Sequence, residues 1–97
     1  MDNLIYKLSK YVLKRYEENA NDEGGLEILY NTQTNKYWIG NGSSRFLINL
    51  INGENSLKDI YEKLANTVFT DFSQDEITES FSAIIKELEE MELIEKV

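Results

Sequence analysis

Cysteine, histidine and proline are all absent from this sequence of 97 residues. Without cysteine, the chain can form no disulfide, thiolate zinc site or iron–sulfur cluster, and it has no cysteine nucleophile. Without histidine, it lacks the usual general base near neutral pH and the commonest metal ligand. An enzyme built from this chain would have to use carboxylates, lysine, tyrosine or serine alone. We therefore expect a protein that is not an enzyme, with no catalytic residue, no metal site and no cofactor.

Long apolar runs are also missing from the chain. No run approaches the roughly 20 residues that cross a bilayer, and the first residues, Met1–Lys7, lack the apolar stretch of a signal peptide. A chain of 97 residues, of which 41% are apolar, can bury one modest core. The sequence therefore predicts a single domain over 1–97, in a cytoplasmic protein that has no membrane partner.

Basic residues are too few to balance the acidic ones. The chain has 10 lysines and arginines against 18 acids, and its net charge is −8. The whole surplus lies in the second half, because 1–52 carries equal numbers of acids and bases. Nucleic-acid binding depends on neutralising phosphates with basic side chains. We therefore expect no nucleic-acid partner, and the acidic half is typical of solvated helix faces.

The first half of the chain shows the pattern of strands. Segments at about 26–31 and 36–40 are rich in β-formers, and the short polar stretch between them contains asparagines that tolerate left-handed backbone, so the two predict a hairpin. The pattern of the preceding residues, 1–20, fits more than one secondary structure. Leu4 and Leu8 fit a helical stripe, whereas the aromatic and branched residues nearer Tyr16 fit a strand. This pattern alone leaves helix and strand open.

The second half predicts three helices, at about 43–52, 56–68 and 74–91. Gly53 follows the first of them at a position typical of a helix C-terminal glycine. Ser56 with Asp59, and Ser73 with Glu76, have the spacing of capping boxes at the starts of the next two. The third helix has the widest apolar stripe. Its members are Ile77, Phe81, Ile84, Ile85, Leu88 and Met91.

Three segments in this order resemble the PqqD-like family, whose members recognise leader peptides of ribosomally made, post-translationally modified peptides. They are the hairpin at 29–39, the helix, glycine-acid turn and capped helix at 46–60, and the helix with its short apolar tail at 84–94. Glu92 stands where the family's tail usually has glycine. The resemblance covers about 10–95. It implies a first strand at about 11–17, and hence an α+β, winged-helix-like fold in which a three-stranded antiparallel sheet precedes the three helices.

The resemblance also implies a function and a binding site. Family members are similar to a clamp in which the leader adds as a strand to the third strand, against the third helix. They present the precursor peptide to a maturation enzyme, of which radical S-adenosylmethionine (radical SAM) enzymes are one class. Strand addition obtains affinity from backbone hydrogen bonds and selectivity from side-chain pockets. The implied peptide-binding residues are Lys36, Tyr37, Trp38, Ile39, Gly40, Phe81, Ile84, Ile85 and Leu88. Small residues, Ser80, Ser82 and Ala83, flank the helical ones.

Other interpretations remain open at this point. A winged-helix regulatory or protein-interaction module would share the fold, although a DNA-binding form needs a basic recognition helix and the third helix is mostly acidic. An acyl or peptidyl carrier protein would use Ser56 as the attachment point of its phosphopantetheine arm, but Asp59 allows that serine to be a simple helix cap. An open strand edge also permits dimerisation.

Overall fold

The computed structural model describes residues 3–19 and 24–97, and it is an α+β fold with two antiparallel sheets and three helices. The elements in chain order are β1 (Ile5–Leu8), β2 (Val12–Glu17), β3 (Leu26–Asn31), β4 (Tyr37–Asn41), α1 (Ser44–Leu50), β5 (Asn52–Ser56), α2 (Leu57–Thr67), α3 (Gln74–Glu90) and β6 (Ile94–Lys96).

One sheet has the strand order β2-β3-β4 and contains the three predicted strands. Its register is regular, with Ile28 opposite Arg15 on one side and Ile39 on the other. The turn between β3 and β4 places Asn35 at φ 63°, the left-handed conformation that the asparagine-rich loop predicts. The strand at about 11–17, which rested on the family resemblance, is present as β2.

The prediction of a single sheet is wrong. A second sheet has the order β5-β1-β6, and it joins the start of the chain to its end. In β1, Tyr6 is buried whereas Lys7 is exposed, which is the two-residue alternation of a half-buried strand. The helical stripe considered for this region is therefore wrong where the structure describes it. The expected helix-only order after β4 is also interrupted, by β5 and β6.

The first predicted helix is too long, because α1 ends at Leu50 and the chain enters β5 two residues later. Gly53 has φ 81° but lies inside β5, not at the end of a helix. The two capping predictions are confirmed. Ser56 and Ser73 each accept a hydrogen bond from the amide of the third helical residue, and the Asp59 and Glu76 carboxylates bond back to the cap amides.

The end of α3 takes the form that the family's tail glycine would favour, although Glu92 occupies the position. Glu92 has φ 60°, its amide donates to the Glu89 carbonyl at 3.0 Å, and the next amide, of Leu93, donates to the Leu88 carbonyl at 3.0 Å. This is a Schellman motif, and its apolar contact is supplied by two fully buried leucines, Leu88 and Leu93. The substitution changes the strain in the turn but not its geometry.

The core lies between the helices and the inner faces of both sheets. Its fully buried members come from β3, α1, α2, α3 and the segment leading into β6, and they are Leu29, Leu47, Ile48, Ile60, Leu64, Leu88 and Leu93. Within the described residues, no helix is long and apolar enough to cross a membrane.

Candidate functional site

The strand β4 lies at the edge of its sheet, since in the described part of the chain it pairs with β3 alone. The amide of Asn31 donates to the Lys36 carbonyl at 2.8 Å, which fixes the alternation of the β3–β4 ladder. Trp38 and Gly40 therefore bond to β3, whereas the N–H and C=O groups of Tyr37, Ile39 and Asn41 point away from it. These three residues present a ladder that another strand can join.

The side chains of β4 divide between core and solvent. Trp38 is buried, with 8% of its surface exposed, whereas Tyr37 and Ile39 are 58% and 51% exposed. Gly40 makes the burial of the indole possible, because a Cβ at this position would overlap the Trp38 ring. Trp38 is thus a core residue that positions the edge, and the two exposed neighbours are the side chains that an added strand would meet.

The outer face of this sheet has apolar residues in two neighbouring cross-strand rows, although Arg15 of β2 lies opposite Ile28 in the second row and pairs with Glu17 on the same face. Leu13, Tyr30 and Tyr37 lie in one cross-strand row, and Ile28 and Ile39 belong to the next. Leu13 is 63% exposed, so the row is open to solvent from β2 to β4. Cross-strand neighbours on one face interact, and aromatic or β-branched pairs contribute about 0.2–1 kcal/mol each. A strand added beside β4 would extend this apolar face.

The beginning of β4 is tied to the end of α3. The Asn31 side-chain amide donates to the Glu92 carbonyl at 2.8 Å, and Lys36 Nζ lies 3.8 Å from Glu92 Oε1. The ion pair is exposed and contributes little by itself, but the bond from Asn31, a residue only 2% exposed, fixes the hairpin against the helix terminus. The edge strand is therefore held in a defined position beside α3.

The four apolar residues of α3 in the predicted site have different surroundings. Ile85 and Leu88 are buried, at 4% and 0% exposure, whereas Phe81 and Ile84 are half-buried against the core. Phe81 lines a pocket of about 180 Å³ together with Phe69 and neighbouring residues. Ile85 instead lines a groove on another side of the helix, so the structure does not gather these residues into one depression.

The groove beside Ile85 lies between α3 and β1 and has a volume of about 520 Å³. Leu4 and Tyr6 contribute to it from the β1 side, and these residues were not among the predicted site. Leu4, Tyr6 and Leu8 stand at every second position, which is the spacing of one face of a strand, and this spacing could have indicated them. The small residues noted in the sequence, Ser82 and Ala83, do line this groove.

Two buried ionisable groups lie near these surfaces. Burial, together with a hydrogen bond with Glu89 and the charge of that carboxylate, raises the pKa of Tyr6 to about 12. Burial also raises the pKa of Glu27, while the charges of Lys14 and Arg45 lower it in part. Glu27 lies on the inner face of β3 at 1% exposure, and its Oε2 has no hydrogen-bond partner among the residues that the structure describes. Neither group belongs to a metal-binding cluster, since the described residues form none.

The comparisons with known proteins identify the family. Residues 27–94 match the protein family described as Coenzyme PQQ synthesis protein D (PqqD), which spans β3 to the start of β6. The chain belongs to the PqqD family. Neither the curated proteins nor the solved structures gave a match to the chain. The matched range contains the β4 edge and the whole of α3, whereas β1 and β2 precede it.

Membership of the PqqD family is consistent with a non-catalytic role in peptide recognition during natural-product biosynthesis. Ser56 is the residue that a carrier protein would modify. It is the N-cap of α2, and its side chain accepts a hydrogen bond from the amide of Asp59. Helix capping therefore explains why a serine stands at this position.

Proposed function

We propose that this PqqD-family protein binds the leader region of a ribosomally made precursor peptide by strand addition to β4 and presents it to a maturation enzyme. The observation that carries the proposal is the outward-facing ladder of Tyr37, Ile39 and Asn41 on an uncharged edge strand. A leader paired there would gain hydrogen bonds of about 1 kcal/mol each. Part of this gain offsets the entropy lost as the leader orders.

Side chains of the bound leader would alternate between two environments. Those on the outer face would meet Tyr37 and Ile39 and extend the apolar face of the sheet. Those on the inner face would turn towards the core side of β4, and the family resemblance suggests that the half-buried Ile84 and Phe81 of α3 contact them. In this proposal, the buried residues Trp38, Ile85 and Leu88 support the site from the core, while Lys36 precedes the edge strand and Gly40 lies within it.

The order α1, β5, α2, α3, β6 supports a winged-helix-like description of the helical half, in which the β2-β3-β4 sheet serves as the peptide-binding wing. A radical SAM enzyme is the partner class suggested by the family resemblance. The net charge of −8 gives duplex DNA little to bind. We therefore favour peptide recognition over the regulatory module and the carrier protein.

A pair of proline substitutions on the two edges of the sheet tests this function. Ile39→Pro removes an amide that points outward from β4, and Lys14→Pro removes one that points outward from β2. Both edges tolerate proline better than a central strand does. The cognate leader, titrated by fluorescence anisotropy, should bind Ile39→Pro at least about tenfold more weakly, whereas Lys14→Pro should bind nearly as the parent does.

Circular dichroism of both variants establishes that they remain folded. Equal weakening by the two substitutions would indicate a general loss of sheet structure and would contradict a specific β4 site. Weakening by Lys14→Pro alone would move the leader to the opposite edge.

A further inference from the structure

A groove of the described structure, between α3 and β1, lies outside the β4 edge. Its floor consists of buried residues, Tyr6 from β1, Leu57 and Tyr61 from α2, and Ile85 from α3. Its α3 wall contains Ser82 and Ala83, whose short side chains leave the depression open. A groove of about 520 Å³ with this floor can accept large apolar side chains from another molecule.

An extended peptide would gain little in this groove. The neighbouring strand β1 is central in its sheet, with β5 bonded on one side and β6 on the other. Its backbone groups are therefore already used in two ladders, and strand addition has no edge to join. The other walls are helices, α2 and α3, so the groove suits an occupant whose own backbone bonds are satisfied, such as an amphipathic helix.

The charge around the groove selects the kind of helix. The helix α3 carries six carboxylates and one base, which gives it a net charge of −5. Lys86 and Glu89 both line the groove and offset each other, so the negative charge comes from the residues around it. By helical spacing, Asp75, Glu79 and Glu90 lie on the exposed side of α3 that borders the groove. Complementary charge accelerates encounter and suppresses wrong partners. An occupant with basic residues around an apolar stripe fits this surface.

We propose that the groove between α3 and β1 is a docking surface for a basic amphipathic helix of the maturation enzyme. The identity of the partner rests on the proposed function, but the surface is separate from the leader site. The leader occupies the β4 edge of one sheet, and the enzyme contacts α3 beside the other sheet. A single small domain can then hold the precursor and the enzyme simultaneously without competition for one cleft.

Two matched substitutions on α3 distinguish docking in the groove from general attraction to an acidic helix. Ser82→Trp fills the groove, whereas Ser80→Trp places the same side chain two residues away, where the helix borders the pocket of Phe81. Both serines are exposed, and neither substitution changes the charge. The probe is a 15-residue peptide with lysine and leucine at helical spacing, and a glutamate-for-lysine version serves as its control.

The expected result in a titration of the 15N-labelled chain is that the lysine peptide shifts amides of β1, the start of α2 and α3. Ser82→Trp should weaken this binding at least about tenfold, and Ser80→Trp less than about twofold. The glutamate peptide should not bind. Equal effects of the two tryptophans, or shifts that spread over the acidic surface without the groove, would overturn the proposal.

The leader and the maturation enzyme, tested with the same two variants, separate this proposal from the proposed function. Ser82→Trp should weaken binding of the enzyme and leave binding of the leader unchanged. A leader that fails to bind at all refutes the proposed function, while the lysine peptide still decides whether the groove docks a basic helix. A leader that shifts the groove amides, or an enzyme indifferent to Ser82→Trp, overturns the docking proposal.

Discussion

The two edges of the β2-β3-β4 sheet differ in how they meet solvent. The β2 edge carries three charged residues, Lys14, Arg15 and Glu17. The Lys14 side chain, on the inner face, donates a hydrogen bond from Nζ to Asn49 Oδ1 at 2.9 Å. The β4 edge, Tyr37–Asn41, has no charged residue. Charged side chains are a common way in which proteins protect an edge against unwanted strand pairing.

This difference teaches that an open edge is not by itself a binding site. Both strands present outward amides at every second residue and both expose apolar side chains, Leu13 on β2 and Tyr37 and Ile39 on β4, but only β4 lacks charge. The Asn31–Glu92 bond further fixes the β3–β4 hairpin against the turn that ends α3. We therefore propose β4 as the edge that the leader joins and β2 as a protected edge.

The largest effect should come from proline inside the ladder. Trp38→Pro removes an amide that bonds to β3 and also deletes a buried indole, so we expect the protein to lose at least about 4 kcal/mol and to be largely unfolded. Ile39→Pro, whose amide points outward, should cost about 1 kcal/mol. Urea denaturation followed by circular dichroism measures both.

Trp38→Ala separates the two losses in that variant, because it keeps the amide and removes only the indole. If Ile39→Pro proved as destabilising as Trp38→Pro, the alternation assigned to β4 would be incorrect.

A charge placed on β4 should make it resemble β2. Ile39→Lys keeps the backbone donor but introduces a solvated cation at the centre of the edge, so the leader should bind about fivefold to tenfold more weakly while the fold is retained. Arg15→Lys, on β2, is a control that should leave the affinity unchanged. Titration calorimetry with the cognate leader gives both affinities. Undiminished binding to Ile39→Lys would remove lack of charge as the distinguishing property of β4.

The buried carboxyl of Glu27 lies on β3, between Tyr16 of β2 and Gly40 of β4. Its pKa in the folded state is raised by burial, so its contribution to stability is complete below its unfolded pKa and is lost as the pH rises through the folded pKa. Glu27→Gln should remove this loss and stabilise the protein by about 1 kcal/mol near pH 8 relative to the parent.

Urea denaturation at pH 4 and pH 8 should show that the difference between Glu27→Gln and the parent increases with pH. A constant difference would mean that Glu27 does not titrate differently on folding. Lys14→Met is the matched variant for the β2 side, since removal of a nearby cation should raise the pKa of Glu27 further.

The smallest expected effect concerns the link between β4 and α3. Glu92 adopts φ 60°, a conformation that glycine reaches without steric cost. Glu92→Gly should stabilise the protein by about 0.5–1 kcal/mol, because the lost ion pair with Lys36 is exposed and weak. A thermal melt measures the change. Glu95→Gly, in the regular strand β6, is a control that should destabilise.

The parts of the fold that the sequence predicts are those with local signals. The hairpin follows from β-formers around an asparagine-rich turn, and α2 and α3 follow from capping serines and apolar stripes. The sheet β5-β1-β6 has no such signal. Its strand β5 reads Asn52-Gly53-Glu54-Asn55-Ser56, which favours turns, and it becomes a strand only because β1 pairs with it.

The candidate site was predictable in part for the same reason. Lys36–Gly40 could be placed on an edge because no later segment has the pattern of a strand. Two later strands do exist, β5 and β6, but they pair with β1 and leave this edge open. The groove lined by Leu4 and Tyr6 could not be predicted, because its walls come from opposite ends of the chain. On α3, periodicity identified a broad apolar stripe but could not tell which members face the core, as with Leu88, and which border a surface depression, as with Phe81.

Hydrogen exchange at the two edges tests the central claim most directly. Amides of Tyr37, Ile39 and Asn41 should exchange quickly in the free protein, because they point away from β3, and slowly in the presence of saturating leader. Amides of Lys14 and Tyr16, which point outward from β2, should exchange at the same rate in both states. Protection confined to β4 is the result that strand addition predicts. Protection of Lys14 and Tyr16, or unchanged exchange at all five amides when the leader is bound, would contradict it.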